Sequence, residues 1–399
     1  MLKKLTLALA ILAASTAQAQ WTVQNSGTTW DLYSAYFVTP DLGWVVGDQG
    51  TILKTTDGGE TWVQQVTGTT ERFSSVWFLD AQRGFAAGSE GNVISTTNGG
   101  TTWITQPTGT LWSLSTVRFV NSTTGFLFGD SNTIYRTTDG GATWQHVLNM
   151  MGVYLTDAHF TSPTNGWAVG ETGKVLHTTD GGTTWDIGDI GTNKVLESVW
   201  FTDANTGYVV GRVDSLFKTT NGGTSWTRTA LPIQANHSMT SLFFTDATHA
   251  YLVGQGGTIL HTADAGATWT TQSSMVSGSN VSLFDVFFAN SQVGYVVGQY
   301  GQILKTGNGG VSAIGELDKG PDMILFPNPV ADGSPVRLRE SGREAVEVVL
   351  SGMDGKRVRS TTLVPGQLEV STEGLANGTY MVELRYSGGV QYHRLVVQR

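Results

Sequence analysis

Residues 21–310 consist of short apolar runs separated by polar, glycine-rich turns. In the first repeat the runs are LYSAYF, GWVVG, TILKTT and, after an Asp-Gly-Gly turn, WVQQV. They are rich in β-branched and aromatic residues, and no long stretch of the chain places apolar residues at helical spacing. The pattern predicts an all-β chain with four short strands in each repeat, lettered A to D.

One turn recurs at a fixed interval through this region. It forms the octets TTDGGETW (55–62), TTNGGTTW (96–103), TTDGGATW (137–144), TTDGGTTW (178–185), TTNGGTSW (219–226) and TADAGATW (262–269). Successive tryptophans are 41 residues apart, except that the last interval is 43. Four short strands in a repeat of about 40 residues are typical of a β-propeller blade.

The two ends of the repeat region predict how the ring closes. A seventh turn, at 307–310, is not followed by a tryptophan, whereas Trp21 lies 41 residues before Trp62. An open ring would expose unpaired strand edges, so we expect residues 21–25 to supply strand D of the last blade, with Trp21–Val23 paired to Ile303–Lys305. The predicted fold is an all-β, seven-bladed β-propeller closed by the N-terminal strand (20–311). A linker (312–322) and a small C-terminal β-sandwich (323–399) are expected to follow.

Composition and charge narrow the location and the partners of the protein. Lys3 and Lys4 precede an apolar run and an Ala-Gln-Ala sequence, which predicts a secretory signal peptide at residues 1–19, cleaved after Ala19. The chain has no cysteine, which excludes disulfides and thiolate metal sites. Without Lys3 and Lys4 the net charge falls from −9 to −11, and this excess lies on residues 20–319 because nine basic and nine acidic side chains balance afterwards. We expect an exported protein that has no transmembrane segment and does not bind nucleic acid.

The octet resembles the Asp-box of sialidases and other propellers, and its residues favour a structural role. Asp or Asn can accept backbone N–H bonds in a turn, and glycine adopts a positive φ without strain. Burying one tryptophan removes about 150–250 Å² from water, worth roughly 4–6 kcal/mol as an upper estimate, so we expect these rings to seal neighbouring blades. Asn replaces Asp in three copies, which argues against metal binding or proton transfer. The residues with this expected role are Asp57, Asn98, Asp139, Asp180, Asn221, Asp264 and Asn308, with Trp21, Trp62, Trp103, Trp144, Trp185, Trp226 and Trp269.

Positions that differ between blades are the candidates for ligand binding. In a propeller the D–A and B–C loops share one face, and the A–B and C–D loops, including the Asp-boxes, lie on the other. The D–A loops carry aromatic and charged residues without a shared pattern, so we expect a ligand to dock over the channel on this face and to contact Trp30 or Trp112. The candidate ligand-binding residues are Trp30, Arg72, Trp112, Tyr154, Lys194 and His237.

Candidates for catalysis are confined to two carboxylates near the axis. Asp157 and Asp285 occupy the strand A position that serine or threonine holds in the other blades. They offer an acid/base pair for glycoside hydrolysis, but hydrogen bonds to neighbouring strands or channel water are the favoured interpretation. His177 and His261 take a strand C position that is lysine or arginine in four blades, and we expect them on the surface. We expect no catalytic residue, no metal and no cofactor.

The C-terminal segments resemble the type A C-terminal sorting domain of the type IX secretion system. A Pro-Asn-Pro opening, a central turn, a Gly-Leu-x-x-Gly-x-Tyr segment and a basic-apolar last strand appear in order. The matching residues are Pro327, Asn328, Pro329, Gly355, Lys356, Gly378 and Tyr380. The resemblance implies contact with the type IX secretion machinery and export through the periplasm. It further implies removal of this domain, with release or attachment at the outer cell surface.

The repeats TTDGGxTW and GWxxG resemble the photosystem II stability/assembly-factor family, whose members are seven-bladed binding scaffolds without catalytic chemistry. The resemblance implies a non-enzymatic seven-bladed scaffold, and the sorting domain argues against a photosynthetic role. The leading hypothesis is therefore a secreted or cell-surface propeller that binds a protein or glycan. The alternative is a glycoside hydrolase of sialidase or endoglucanase type. Against it, the propeller has few arginines and short D–A loops. A purely structural surface protein is a third hypothesis.

Overall fold

Seven four-stranded antiparallel sheets follow one another along the N-terminal part of the chain. The computed structural model describes residues 21–148, 154–233, 237–274, 276, 280–310, 324–326, 330–331, 334–339, 346–352, 356–363, 369–386 and 389–398. The chain forms two compact units that divide after Gly310. The predicted signal peptide, its cleavage site at Ala19 and the predicted linker lie outside the described residues. Within the described residues, no helix has the length and apolar character needed to cross a membrane.

Each blade consists of strands A to D in chain order, and blades are numbered by their A strands. The A strands are Leu32–Phe37, Phe73–Phe78, Leu114–Phe119, Leu155–Phe160, Leu196–Phe201, Met239–Phe244 and Leu283–Phe288. The B strands are Gly43–Gly47, Gly84–Gly88, Gly125–Gly129, Gly166–Gly170, Gly207–Gly211, Ala250–Gly254 and Gly294–Gly298. The C strands are Ile52–Thr55, Val93–Thr96, Ile134–Thr137, Lys174–Thr178, Val213–Thr219, Ile259–Thr262 and Ile303–Thr306. The D strands are Val63–Gln64, Ile104–Thr105, Gln145–Leu148, Asp186–Asp189, Thr227–Ala230, Thr270–Thr271 and, for blade 7, Thr22–Gln24. Short 3-10 turns join B to C at Ser89–Gly91, Asp130–Asn132, Glu171–Gly173, Gln255–Gly257 and Gln299–Gly301.

The N-terminal strand closes the ring. It pairs antiparallel with strand C of blade 7, with Thr22 opposite Lys305, Val23 opposite Leu304 and Gln24 opposite Ile303. Trp21 lies just before this strand and is fully buried, and its indole Nε1 donates to Gln272 Oε1 at 2.6 Å. The predicted seven blades and their closure by this strand are confirmed.

Aromatic stacking joins each blade to the one before it. The phenylalanine that ends strand A lies on the ring at the second position of strand B in the preceding blade. Centroids are 3.5–4.8 Å apart in Phe37–Tyr295, Phe78–Trp44, Phe119–Phe85, Phe160–Phe126, Phe201–Trp167, Phe244–Tyr208 and Phe288–Tyr251. The same phenylalanine covers the first residue of strand B in its own blade, and a Cβ at Gly43 would lie 2.3 Å from the Phe37 ring. The recurring glycine therefore makes room for the stack.

The Asp-box tryptophans complete these stacks. Trp144 meets Phe119 edge-on at 5.9 Å between centroids and lies in one buried cluster with residues of blades 2 and 3. Trp144, Trp185 and Trp269 are 8% exposed, whereas Trp62, Trp103 and Trp226 are partly buried. Each ring thus adds apolar contact at a junction between blades.

The first threonine and the Asp or Asn of each Asp-box form side-chain hydrogen bonds within the turn. Thr55 Oγ1 donates to Asp57 Oδ1 at 2.8 Å and accepts from Gly59 N at 2.8 Å. Asp57 Oδ1 accepts from Thr61 N at 2.9 Å, and Oδ2 accepts from the Thr61 hydroxyl at 2.6 Å. These bonds lower the pKa of Asp57 to about 2. Asn98 forms the same backbone bond to Thr102 N at 2.9 Å, which explains why Asn substitutes for Asp.

Cationic side chains of strand C reach the Asp-box of the next blade. Lys54 Nζ donates to Gly99 O at 2.8 Å, and Lys218 Nζ donates to Ala265 O at 3.1 Å. The prediction that His261 lies on the surface is wrong, because only 4% of this residue is exposed. Its ring packs on Tyr251 at 4.8 Å, and burial lowers its pKa to about 4. His177 is half-buried and stacks on Trp167 at 4.7 Å.

The C-terminal unit is a two-sheet sandwich. Ile324–Phe326, Val336–Arg339 and Glu369–Val370 form one sheet, in that order. Val330–Ala331, Gly389–Gln398, Gly378–Tyr386, Val346–Gly352 and Arg357–Leu363 form the other, in that order. Val336 and Val370 of the first sheet share a buried cluster with Val348 and Leu384 of the second, as predicted for a β-sandwich.

The sorting-motif residues are only partly described. The phenol of Tyr380 is largely buried in the sandwich core and donates to Ala376 O at 2.7 Å. Lys356 and Gly378 are also described, whereas Pro327, Asn328, Pro329 and Gly355 lie outside the described residues.

Candidate ligand-binding channel

A cavity of about 560 Å³ runs along the axis of the propeller. All seven A strands contribute to its wall because strand A is the innermost strand of every sheet. Near the A–B loops the wall continues with Val120, Thr161 and Pro163. Among the described residues, no D–A or B–C loop residue lines this cavity. The cavity thus extends towards the Asp-box face.

Seven side chains from the fifth position of each A strand encircle the channel and form what we call the belt: Tyr36, Trp77, Arg118, His159, Trp200, Phe243 and Phe287. Centroids are 4.9 Å apart for Tyr36–Trp77, 5.0 Å for Tyr36–Phe287, 5.4 Å for Phe243–Phe287, 4.8 Å for Trp200–Phe243 and 4.4 Å for His159–Trp200. Arg118 lies over the Trp77 ring at 5.5 Å. The belt is therefore a nearly continuous aromatic surface with one cationic member.

The charge of the belt is almost fully compensated. Arg118 Nη2 lies 2.9 Å from Asp157 Oδ1, and Arg118 Nε donates to Ala158 O at 3.2 Å. Burial, and then the nearby Arg118, lowers the pKa of His159 to about 3, so its imidazole is neutral at physiological pH. The belt therefore presents a mainly apolar surface to a ligand.

The third position of strand A links neighbouring blades. Ser34 Oγ accepts from Val76 N of the next blade at 3.4 Å, and Ser75 Oγ accepts from Val117 N at 3.2 Å. Two carboxylates serve the same purpose: Asp157 Oδ2 accepts from Val199 N at 3.1 Å, and Asp285 Oδ2 accepts from Ala35 N at 3.0 Å. The bond to Ala35 joins blade 7 to blade 1 across the closure of the ring.

Hydrogen bonds engage both oxygens of each of these carboxylates. Asp285 Oδ1 accepts from the Ser241 hydroxyl at 2.8 Å, and Asp157 Oδ1 is held by Arg118 and by Ala158 N at 2.8 Å. Burial raises the pKa of Asp285. Asp157 and Asp285 therefore link neighbouring blades through hydrogen bonds. The sequence analysis favoured this role over acid/base chemistry.

The six predicted ligand-binding residues are spread over the D–A loops, away from the cavity wall. Trp30 is 50% exposed and Trp112 is 55% exposed, and Lys194 is also exposed. The other three are partly buried: Arg72 lies over the Tyr33 ring at 5.2 Å, His237 lies against Gly256, and Tyr154 has a pKa raised by burial. None of the six predicted residues lines the axial cavity.

A second cavity of about 650 Å³ lies on the opposite face, among the A–B loops of blades 4, 5 and 6; we call it the groove. It shares the lining residues His159, Thr161, Ser162 and Trp200 with the axial cavity, so the two cavities adjoin at the belt. Two carboxylates, Asp203 and Asp246, contribute to its wall. Among the described residues, no group of three or more His, Asp or Glu side chains could hold a metal ion.

Sequence reasoning overlooked the belt and the groove. The available signal was the residue before the recurring phenylalanine, which is bulky in every blade but is not the same residue throughout.

A family model described as photosynthesis system II assembly factor YCF48 matches residues 13–110, 107–187, 147–235, 185–274 and 230–314. The chain belongs to this family. The model of a secretion system C-terminal sorting domain matches residues 324–398. No curated protein matches the chain. A YCF48-like propeller with this tail is a secreted propeller protein, sent by type IX secretion to the cell surface or the extracellular space.

Solved structures of YCF48 share the propeller of this family member. The structure described as YCF48 bound to D1 peptide has a TM-score of 0.63 and 22% identity, covering 72% of this chain and 94% of that one. YCF48 from Cyanidioschyzon merolae has a TM-score of 0.61 and 22% identity, with 72% and 98% covered. The WD40 propeller domain of Doa1 has a TM-score of 0.59 and 12% identity, with 71% and 96% covered. At these identities the likeness shows a common fold.

Proposed function

We propose that the chain is a secreted or cell-surface, non-enzymatic propeller that binds a protein ligand at its central channel. The observation that carries this proposal is the axial cavity of about 560 Å³ with its aromatic belt. Aromatic side chains give a large contact area at low entropic cost and dominate many protein interfaces. Trp30 and Trp112 are exposed on the D–A loops, outside the wall of this cavity.

A protein ligand is favoured over a glycan because of what a structurally similar protein binds. One solved relative is described as bound to a peptide. The sorting domain places this propeller outside the cell, so the partner would be another surface or secreted protein rather than a photosynthetic one. Contact with the type IX secretion machinery would be made by the C-terminal domain and is separate from the channel.

The glycoside hydrolase alternative has little support in the channel. An acid/base pair needs carboxylates that can face a glycosidic oxygen or a water. Asp157 and Asp285 instead hold backbone N–H groups of the next blade. Glu197, at the second position of strand A, is bound to Arg212 Nε at 2.7 Å.

The test is an array of secreted proteins and glycans probed with the purified chain and with Trp77→Ala. We expect a protein to be retained and the belt variant to lose at least tenfold in affinity. Val63→Ala is the matched control, because Val63 is 60% exposed on an outermost strand far from the belt in the sheet order. Hydrolysis of an arrayed glycan would overturn the proposal, as would binding that both variants leave unchanged.

A further inference from the structure

We propose that the protein ligand reaches the belt from the A–B loop face, placing a large apolar side chain in the belt and a neighbouring lysine or arginine in the groove. The inference rests on the proposed function and names the chemistry of its ligand. It also assigns the groove, and in particular Asp203 and Asp246, as a recognition site for a basic side chain.

The walls that the two cavities share indicate the direction of approach. His159 and Trp200 line both cavities, and their rings lie 4.4 Å apart. A segment that crosses the A–B loops of blades 4 to 6 would therefore contact two members of the belt. From the D–A side, the described loops contribute nothing to the cavity wall.

Charge complementarity selects a basic residue for the groove. Asp203 and Asp246 are the carboxylates among its described lining residues, and no lysine or arginine is among them. Asp203 accepts backbone N–H bonds from Asn205 at 2.7 Å and Thr206 at 2.8 Å, and these bonds lower its pKa. Asp246 Oδ2 lies 2.9 Å from His249 Nδ1. Both carboxylates are thus ionised at neutral pH.

The belt already contains an example of the proposed contact. Arg118 lies over the face of Trp77 at 5.5 Å and holds a carboxylate, that of Asp157, at 2.9 Å. Trp200 lines the groove as well as the axial cavity, and Asp203 follows it by three residues in the same blade. A ligand arginine bound to Asp203 would lie beside the Trp200 ring, so that an aromatic ring and a carboxylate would both stabilise the cation.

Random 12-residue peptides displayed on phage and selected on the full-length chain provide the test. We expect selected peptides to place Arg or Lys beside a large apolar residue. They should bind the Asp203→Asn/Asp246→Asn double variant at least tenfold more weakly, and added salt should weaken binding to the unsubstituted chain. The double variant should fold, because Asn121 and Asn290 occupy the same loop position and accept the same backbone bonds in blades 3 and 7.

Asp80→Asn is the matched control. Asp80 caps the corresponding loop of blade 2 by the same two backbone bonds and does not line the groove. Selected peptides that are acidic, or that bind the double variant as tightly as the unsubstituted chain, would overturn the inference and leave protein binding intact. If neither peptides nor arrayed secreted proteins bind, the proposed function falls together with it.

Discussion

At the residue scale, side chains that recur in every blade hold the blades together, whereas those that line the channel differ between blades. The recurring phenylalanine, the glycine beneath it (Ala250 in blade 6) and the Asp-box tryptophan meet at one junction, so their packing is coupled. Tyr36, Arg118 and Phe243 share a position in the belt but differ in chemistry. The fold leaves this position free to vary, as a binding surface requires.

Trp144→Ala should cost about 3–5 kcal/mol of the free energy of unfolding, because it leaves a cavity between blades 2 and 3. Trp144 is 8% exposed and packs edge-on against Phe85 and Phe119. The measurement is urea denaturation followed by tryptophan fluorescence. Trp30→Ala, at a site that is 50% exposed, should change stability by less than about 0.5 kcal/mol. Equal costs for the two variants would refute the role of the Asp-box ring in packing.

The Asp-box carboxylates should make the free energy of unfolding depend on pH in the acidic range. Hydrogen bonds from the threonine four residues on lower the pKa of Asp57, Asp139 and Asp180 from 3.8 to about 2. Because the folded pKa is the lower one, their contribution is complete above about pH 4 and is lost as the pH falls through about 2. Replacing all three by Asn, the residue of blades 2, 5 and 7, should flatten the decline in unfolding free energy over this range. An unchanged slope would contradict the assignment.

At the element scale, the N-terminal strand should act as a separable closing piece. Deleting residues 20–26 removes the buried Trp21 and exposes the edge of strand Ile303–Thr306. The melting temperature should fall by several degrees, and the open edge should promote association. A synthetic peptide of residues 20–31 added to the truncated chain should restore part of the loss. A truncated chain as stable and monomeric as the intact one would show that closure does not depend on this strand.

Most of the propeller could be predicted from sequence because one structural unit is repeated in a fixed register. The interval between Trp21 and Trp62 was enough to place the closing strand beside Ile303. The burial of His261 was missed because lysine or arginine holds this strand C position in four other blades. The His261 ring packs instead on Tyr251 of the adjacent strand, a contact that the sequence pattern does not show. The belt was missed for a related reason. It forms only when seven strands, some 250 residues apart at the extremes, meet on one axis.

At the scale of the whole molecule, export should depend on the sorting domain, whereas ligand binding should depend on the propeller. A chain lacking residues 323–399 should accumulate in the periplasm, because the matched sorting domain at 324–398 indicates export by type IX secretion. Cell fractionation with an antibody against the propeller measures this. Substitutions in the belt should leave export unchanged. Surface delivery of the truncated chain would contradict the role of the domain.

Two sets of residues predict different ligand-binding faces of the propeller. Variation among the D–A loops points to Trp30 and Trp112, whereas the cavity reaches the A–B loops through Trp77 and Trp200. We expect Trp77→Ala with Trp200→Ala to weaken binding of an identified protein ligand at least tenfold, about 1.4 kcal/mol. Trp30→Ala with Trp112→Ala should change it less than twofold.

The belt variants need a control for folding, since both tryptophans are partly buried. Phenylalanine stands at the same position in blades 6 and 7, so Trp77→Phe with Trp200→Phe should keep the stack and much of the affinity. Affinities measured by calorimetry, beside melting temperatures for each variant, separate lost contact from lost structure. Tenfold weakening by the Trp30 and Trp112 pair alone would instead place the ligand on the D–A and B–C face. The belt would then be an internal packing layer, and its variation between blades would reflect only how seven unequal side chains fill one axis.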